Sequence, residues 1–199
     1  MKNILILITL ILVSCNSNDK SKSESDVTSR VLINDNNKYN SYLIENLNRK
    51  VRESSKNSEI VKYDSLTKNY LNYLSEVETE ITNKSSEIFF QGDEYSSKGK
   101  EFISKTNAYK TEIEKIVESE NLKKRINLVL NTNDVQQPKN VTEIAENNET
   151  NNHAIGEISI FYLDYYYKGS TKYQSLSFLS SKKRSILEIE NEFIISYDK

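Results

Sequence analysis

Residues 58–89 read SEIVKYDSLTKNYLNYLSEVETEITNKSSEIF, and their spacing decides the fold class. Tyr63, Leu66, Tyr70, Leu74, Val77, Ile81 and Ile88 follow one another at intervals of 3, 4, 4, 3, 4 and 7. Apolar residues three and four apart share one face of an α-helix, and this stripe is close to a heptad seam. It predicts a helix from about Ser58 to Phe89. Such a seam is also able to pair two copies of the chain, so a homodimer is expected.

The same period continues on both sides. Upstream, Tyr39, Tyr42, Leu43, Leu47 and Val51 predict a helix from about Asp35 to Ser55, with Asn34 or Asp35 capping its free N–H groups. Neither Gly nor Pro separates it from the next helix, so one long kinked helix is an alternative. Downstream, Gly92 ends the unit, and residues 91–99 form a polar turn. A third helix is predicted from about Lys100 to Leu130 on Phe102, Tyr109, Ile113, Ile116 or Val117, Ile126 and Val129, with a bend near Glu118–Asn121. A last helix runs from Ser170 to about Tyr197. Its stripe is Tyr173, Leu176, Leu179, Lys183, Ile186 or Leu187, Glu190, Phe193, Ile194 and Tyr197.

Between the last two helices the material changes. Residues 131–152 hold seven Asn and the only proline, Pro138, and read as a loop. Residues 155–167 have strand propensity but no second strand to pair with, so they are expected to pack on the bundle. All four glycines and the proline fall between predicted helices. The expected fold is all-α, a bundle of three to five long helices.

Composition excludes several functions. One Cys leaves no disulfide framework, and one His, His153 in a polar loop, leaves little for acid–base or metal chemistry. A formal net charge of −2 offers no footprint for nucleic acid. With four Gly, neither phosphate-cradling glycine pattern is present. Acids such as Glu76, Glu78 and Glu80 lie at helix-surface spacings. No cofactor or metal is expected, and the chain reads as a non-enzyme.

The N-terminus carries an address. Met1-Lys2-Asn3 supplies a positive charge, and Ile4–Val13 is apolar except for Thr9. That is a secretory signal, too short to span a membrane. Leu12-Val13-Ser14-Cys15 resembles the lipobox of bacterial lipoproteins, in which the signal is cleaved before a Cys that takes a diacylglycerol and then an N-acyl chain such as palmitate. The expectation is a signal peptide over 1–14, lipidation at Cys15, a polar disordered tether over 15–33 and a helical domain over 34–199. The mature protein would be held on a membrane by lipid, in the cell envelope, on an outer membrane facing the periplasm.

Two short basic runs, Lys123-Lys124-Arg125 and Lys182-Lys183-Arg184, have acids nearby and are expected to form ion pairs along helix faces. The unusual cluster is Tyr162, Tyr165, Tyr166 and Tyr167. It reads as a partner contact, with packing beneath the Asn-rich loop as the alternative.

Leu179, Glu190 and Phe193, with ten residues and then two between them, stand ahead of Tyr197. This pattern resembles the end of the N-terminal periplasmic domain of the GldM/PorM family. The Tyr-rich helix from Tyr63 to Ile81, the Gly92-Asp93 turn and the return helix from Phe102 to Val117 are similar to further parts of that domain, and the likeness covers roughly residues 36–197. The resemblance implies a helical domain from the shaft of the gliding-motility and type IX secretion motor of bacteroidetes. Departures are clear. Family members start with a transmembrane helix where this chain has a lipobox, and they continue into β-rich domains. A Trp expected before the last helix is absent, with Phe161 or Tyr165 near that place.

The expected function is therefore a lipid-anchored envelope protein that works by contact with another envelope protein, linked to gliding or type IX secretion. The alternative is a lipoprotein that binds a glycan or peptide at the Tyr162–Tyr167 cluster.

Overall fold

The structure is a computed structural model. It describes residues 2–84, 86–91, 94–130 and 172–197, those before residue 26 and residues 86, 87 and 90 by backbone alone. Five α-helices appear among these residues: α1 Lys2–Glu53, α2 Ser58–Asn83, α3 Ser97–Glu114, α4 Glu120–Leu130 and α5 Lys172–Tyr197. The all-α bundle read from the stripes is the fold found.

The break between α1 and α2 is made by one side chain. Asn57 has extended backbone (φ −88°, ψ 106°), and its Oδ1 accepts from the N–H of Glu59 at 3.0 Å and of Ile60 at 3.3 Å. An amide side chain that satisfies the first free N–H groups of a helix favours starting one there. The two helices are therefore separate, although neither Gly nor Pro divides them.

α2 buries Ile60, Tyr63, Tyr70, Leu74, Val77 and Ile81. It stops at Asn83, six residues short of the sequence expectation. A 3₁₀ turn over Ser86–Phe89 follows, and then a two-stranded antiparallel ribbon of Phe90–Gln91 and Glu94–Tyr95. Gly99 shows why this corner is tight. A Cβ added there would lie 2.3 Å from the carbonyl oxygen of Phe89. That same oxygen accepts from the N–H of Ser96 at 2.9 Å, and Ser96 caps α3 by accepting from the N–H of Gly99 at 3.1 Å. Gly99 thus belongs to the first turn of α3, not to the space between helices as expected from the sequence. It allows the chain to double back onto Phe89.

The predicted bend falls between α3 and α4. There Ile116 and Val117 both donate to the carbonyl of Ile113 and both are buried. α3 runs antiparallel to α2, with Thr67 opposite Tyr109 and Tyr70 opposite Thr106.

α5 is the hub. It packs against α1, α2 and α4, while α1 and α2 barely touch each other. A helix covered on several sides has few solvent-facing positions. On α5 the burial extends to Ser175, Ser177, Ser180, Ser181, Lys182 and Ser185, well beyond the apolar stripe. The stripe included Lys183 among inward positions; Lys182 is the fully buried lysine, and Lys183 pairs with Glu78 at 2.5 Å.

α1 departs most from expectation. It begins at Lys2, so backbone helix runs through the segment expected to be a tether. Its inward line is Ser29, Asn36, Asn40, Leu43 and Leu47. Tyr39 and Tyr42, expected inside, lie outside, with Tyr42 60% exposed. The reason is the polarity of α5. Asn36 Nδ2 donates to Ser180 Oγ at 3.2 Å and to Ser181 Oγ at 2.9 Å, and Asn40 Nδ2 donates to the Ser180 carbonyl at 3.1 Å. Small serines allow close approach, and asparagines answer their polar groups. Arg30 lies 3.9 Å from the ring centre of Tyr173, and Lys50 Nζ donates to Asn191 at 2.7 Å, so α1 and α5 run parallel.

The Tyr63–Ile81 stripe is covered by α3 and α5 of its own chain. It is not a free seam for pairing two copies.

Candidate functional site

Because α1 and α2 are held apart, a groove opens between them with α5 as its floor. The cavity is about 220 Å³. Ile44, Leu47, Leu71 and Leu187 supply its apolar lining, and Asn40, Asp64, Lys68, Lys183 and Glu190 its polar groups. α1 contributes Asn40, Ile44 and Leu47 at helical spacing, α2 contributes Asp64, Lys68 and Leu71, and α5 contributes Lys183, Leu187 and Glu190.

Glu190 is 2% exposed. Burial first, and then the adjacent Asp64 carboxylate, pushes its pKa up to about 8. Asp64 in turn accepts from Lys68 Nζ at 2.8 Å. Two carboxyl groups side by side in a buried place resist double ionisation, so Glu190 keeps its proton at neutral pH. Two buried acceptor atoms at this groove, Glu190 Oε1 and Asn40 Oδ1, have no hydrogen-bond partner. Lys183 is occupied by Glu78 and by Ser75 Oγ at 2.9 Å.

The core under the groove is aromatic. Tyr63 stacks on Phe193 at 4.2 Å between ring centres, and Tyr70 on Tyr109 at 4.4 Å. Their phenols are buried, and desolvation raises the pKa of Tyr63, Tyr70 and Tyr109 far above the ordinary phenol value. They remain neutral, and those of Tyr70 and Tyr109 hydrogen-bond to Thr106 and Thr67. Lys182 lies away from the groove. Its Nζ donates to the Val129 carbonyl in the last turn of α4 at 2.5 Å, and burial pushes its pKa down to about 7.

The basic runs do form helix-face pairs: Lys123 with Glu120 at 2.9 Å, Arg184 with Glu188 at 3.0 Å, and Arg125 with Glu188 and Glu192 across α4 and α5. Lys182 is the exception already noted, and exposed Lys124 forms no ion pair among the described residues.

Of the residues singled out from sequence, Leu179, Glu190 and Phe193 all face the core. Tyr162, Tyr165, Tyr166, Tyr167, His153 and the 131–152 segment lie outside the described residues, as does the side chain of Cys15. Sequence reading missed the groove. Its signal was present in Glu190, which the stripe of the last helix includes, and in Asn40 and Asp64, polar residues that at such positions read equally as solvated ones.

Residues 75–195 match the model of the GldM N-terminal domain. The chain belongs to the GldM N-terminal domain family. The matched stretch spans the last third of α2, all of α3 and α4, and nearly all of α5. No curated protein matches the chain. Among the described residues no helix is long and apolar enough to cross a membrane, and no group of three or more His, Cys, Asp or Glu is placed to hold a metal ion.

Proposed function

We propose that this GldM-type chain is a lipid-anchored, non-enzymatic helical protein of the cell envelope. It acts by contact with another envelope protein, within or beside a gliding-motility or type IX secretion assembly. The observation that carries the reading is the family match over 75–195, which includes the hub helix α5. GldM-type domains take part in protein–protein complexes of the envelope. The lipobox-like Leu12-Val13-Ser14-Cys15 supports an anchor at Cys15 in place of a spanning helix. No strong acidic run follows Cys15, with only Asp19-Lys20 near it, which favours a domain that faces the periplasm from an outer-membrane anchor. The groove's lining also supports contact: it brings together a carboxyl pair and two paired lysines beside apolar residues.

Crosslinking in native cells, followed by pull-down of wild type and Cys15→Ala, tests this reading. Recovery of gliding or type IX secretion components with wild type, and their loss with Cys15→Ala, is expected. Equal recovery from both strains overturns the anchoring part, and recovery of no envelope protein from either overturns the whole. The alternative, glycan or peptide binding at Tyr162, Tyr165, Tyr166 and Tyr167, has no observation among the described residues in its favour.

A further inference from the structure

The joint between α2 and α5 holds two acids side by side. Glu190 of α5 meets Asp64 of α2 at the edge of the groove, and both residues are buried. Their surroundings are apolar: Tyr63 stacks on Phe193, and Leu187 lies one turn from Glu190 on α5. Two carboxyls so placed attract each other while one carries a proton, because one donates and the other accepts. Without that proton, two anions face each other with little water between them.

The charged and titratable groups around Glu190 do not replace the proton. From α2, Lys68 bonds Asp64, and its side chain is 49% exposed. Tyr63 of α2 and Tyr109 of α3 are neutral phenols. On α5, Lys183 is taken by Glu78, and Glu192 by Arg125 of α4. The side chains that α1 brings to the groove carry no charge.

Loss of the proton has one direction of relief. α1 is fixed to α5 by the hydrogen bonds of Asn36, Asn40 and Lys50, and it barely touches α2. α2 is therefore free to tilt away from α5 on its side of the groove without carrying α1 along. Water then reaches both carboxylates.

We propose that the Asp64–Glu190 pair is a proton-dependent latch: the shared proton holds α2 on α5, and its loss widens the groove and bares the apolar side chains of Leu47, Leu71 and Leu187. The latch is built into the fold. It goes beyond the protein-contact reading and stands or falls without it.

Electron spin distance measurement on the full chain in neutral detergent tests the latch. Cys15→Ala removes the native thiol, and nitroxides on Glu45→Cys of α1 and Asn69→Cys of α2 sit at exposed positions on the two walls. An opened latch releases its proton at the ordinary carboxyl value of 4.5, and the closed one holds it up to about 8. The ratio of the wide to the narrow distance should therefore rise by up to about tenfold per pH unit between those values and level above them. Glu190→Gln, whose amide donates to Asp64 at every pH, should hold the narrow distance throughout. Glu190→Met, with no group to titrate, should show no pH dependence. Lys182, the other buried titrating group of α5, is present in both variants, so their flat response separates the latch from it. A single distance at every pH overturns the proposal, and so does a wide population that grows equally in Glu190→Gln.

Discussion

Glu190 and Lys182 lie on the same helix and titrate in opposite senses. Glu190 holds its proton up to about pH 8 when folded and releases it near 4.5 when unfolded. Between those values the folded chain binds one proton more, so stability falls as pH rises through that window, by up to about 1.4 kcal/mol per unit. Asp64, Lys68, Tyr63 and Tyr109 are the titratable groups facing it. The melting temperature of Glu190→Gln relative to wild type should therefore climb from pH 5 to 8 and then level; parallel curves would show that Glu190 is not held protonated. Lys182 runs the other way. Its folded pKa of about 7 lies below the unfolded 10.5, so the folded chain binds fewer protons between these values and stability rises with pH there. Any advantage of Lys182→Met should be largest below pH 7 and shrink above it. At Gly99 the issue is space. Gly99→Ala places a methyl 2.3 Å from the Phe89 oxygen. A cost of about 1–3 kcal/mol is expected in urea unfolding, and an unchanged midpoint would mean that the corner yields freely.

At the scale of elements, α2 and α3 are joined by a pair of buried hydroxyl contacts. Thr106 Oγ1 donates to its own helix at the Phe102 carbonyl, so Tyr70 is the donor in the 2.6 Å contact between them. Thr67 and Tyr109 make the second contact at 3.0 Å. Removing the acceptor alone strands a buried phenol. Thr106→Val should thus cost about 1–3 kcal/mol, more than Tyr70→Phe at about 1 kcal/mol. A double-mutant cycle measures the coupling, and additive single effects would show that the two side chains act independently. The stripes of α2, α3 and α4 were legible because their apolar residues keep helical spacing and nothing else competes for those faces. The break between Ser55 and Ser58 was legible in the stripes, with one continuous helix open as the alternative; Asn57 decides it by one amide accepting two N–H groups rather than by a helix breaker.

For the molecule as a whole, α5 decides cohesion. α1 and α2 barely meet, and each is held by its contact with α5. Removing residues 172–199 should leave a chain that still shows helix by circular dichroism but has no sharp thermal transition. A truncated chain that melts cooperatively near the full-length temperature would refute the hub role. The same arrangement creates the groove, since two helices fixed to a third at a distance leave space between them. It also places Tyr39 and Tyr42 outside, where Arg184 lies 4.3 Å from the ring centre of Tyr39.

The all-α class, the bend near Glu118 and the inward residues of α2 to α4 were carried by local spacing in the chain. Spacing sets which residues share a face, and an apolar face has one favourable destination. Spacing cannot say which face of a polar helix turns inward. On α1 the choice fell to Asn36 and Asn40 over Tyr39 and Tyr42 because the serines of α5 offered them hydrogen-bond partners 140 to 145 residues away. The burial of Lys182, the meeting of Asp64 with Glu190 and the two unpaired acceptors of the groove have the same origin. Each depends on groups brought together from distant positions, and only packing of the helices determines which polar atoms lose their water.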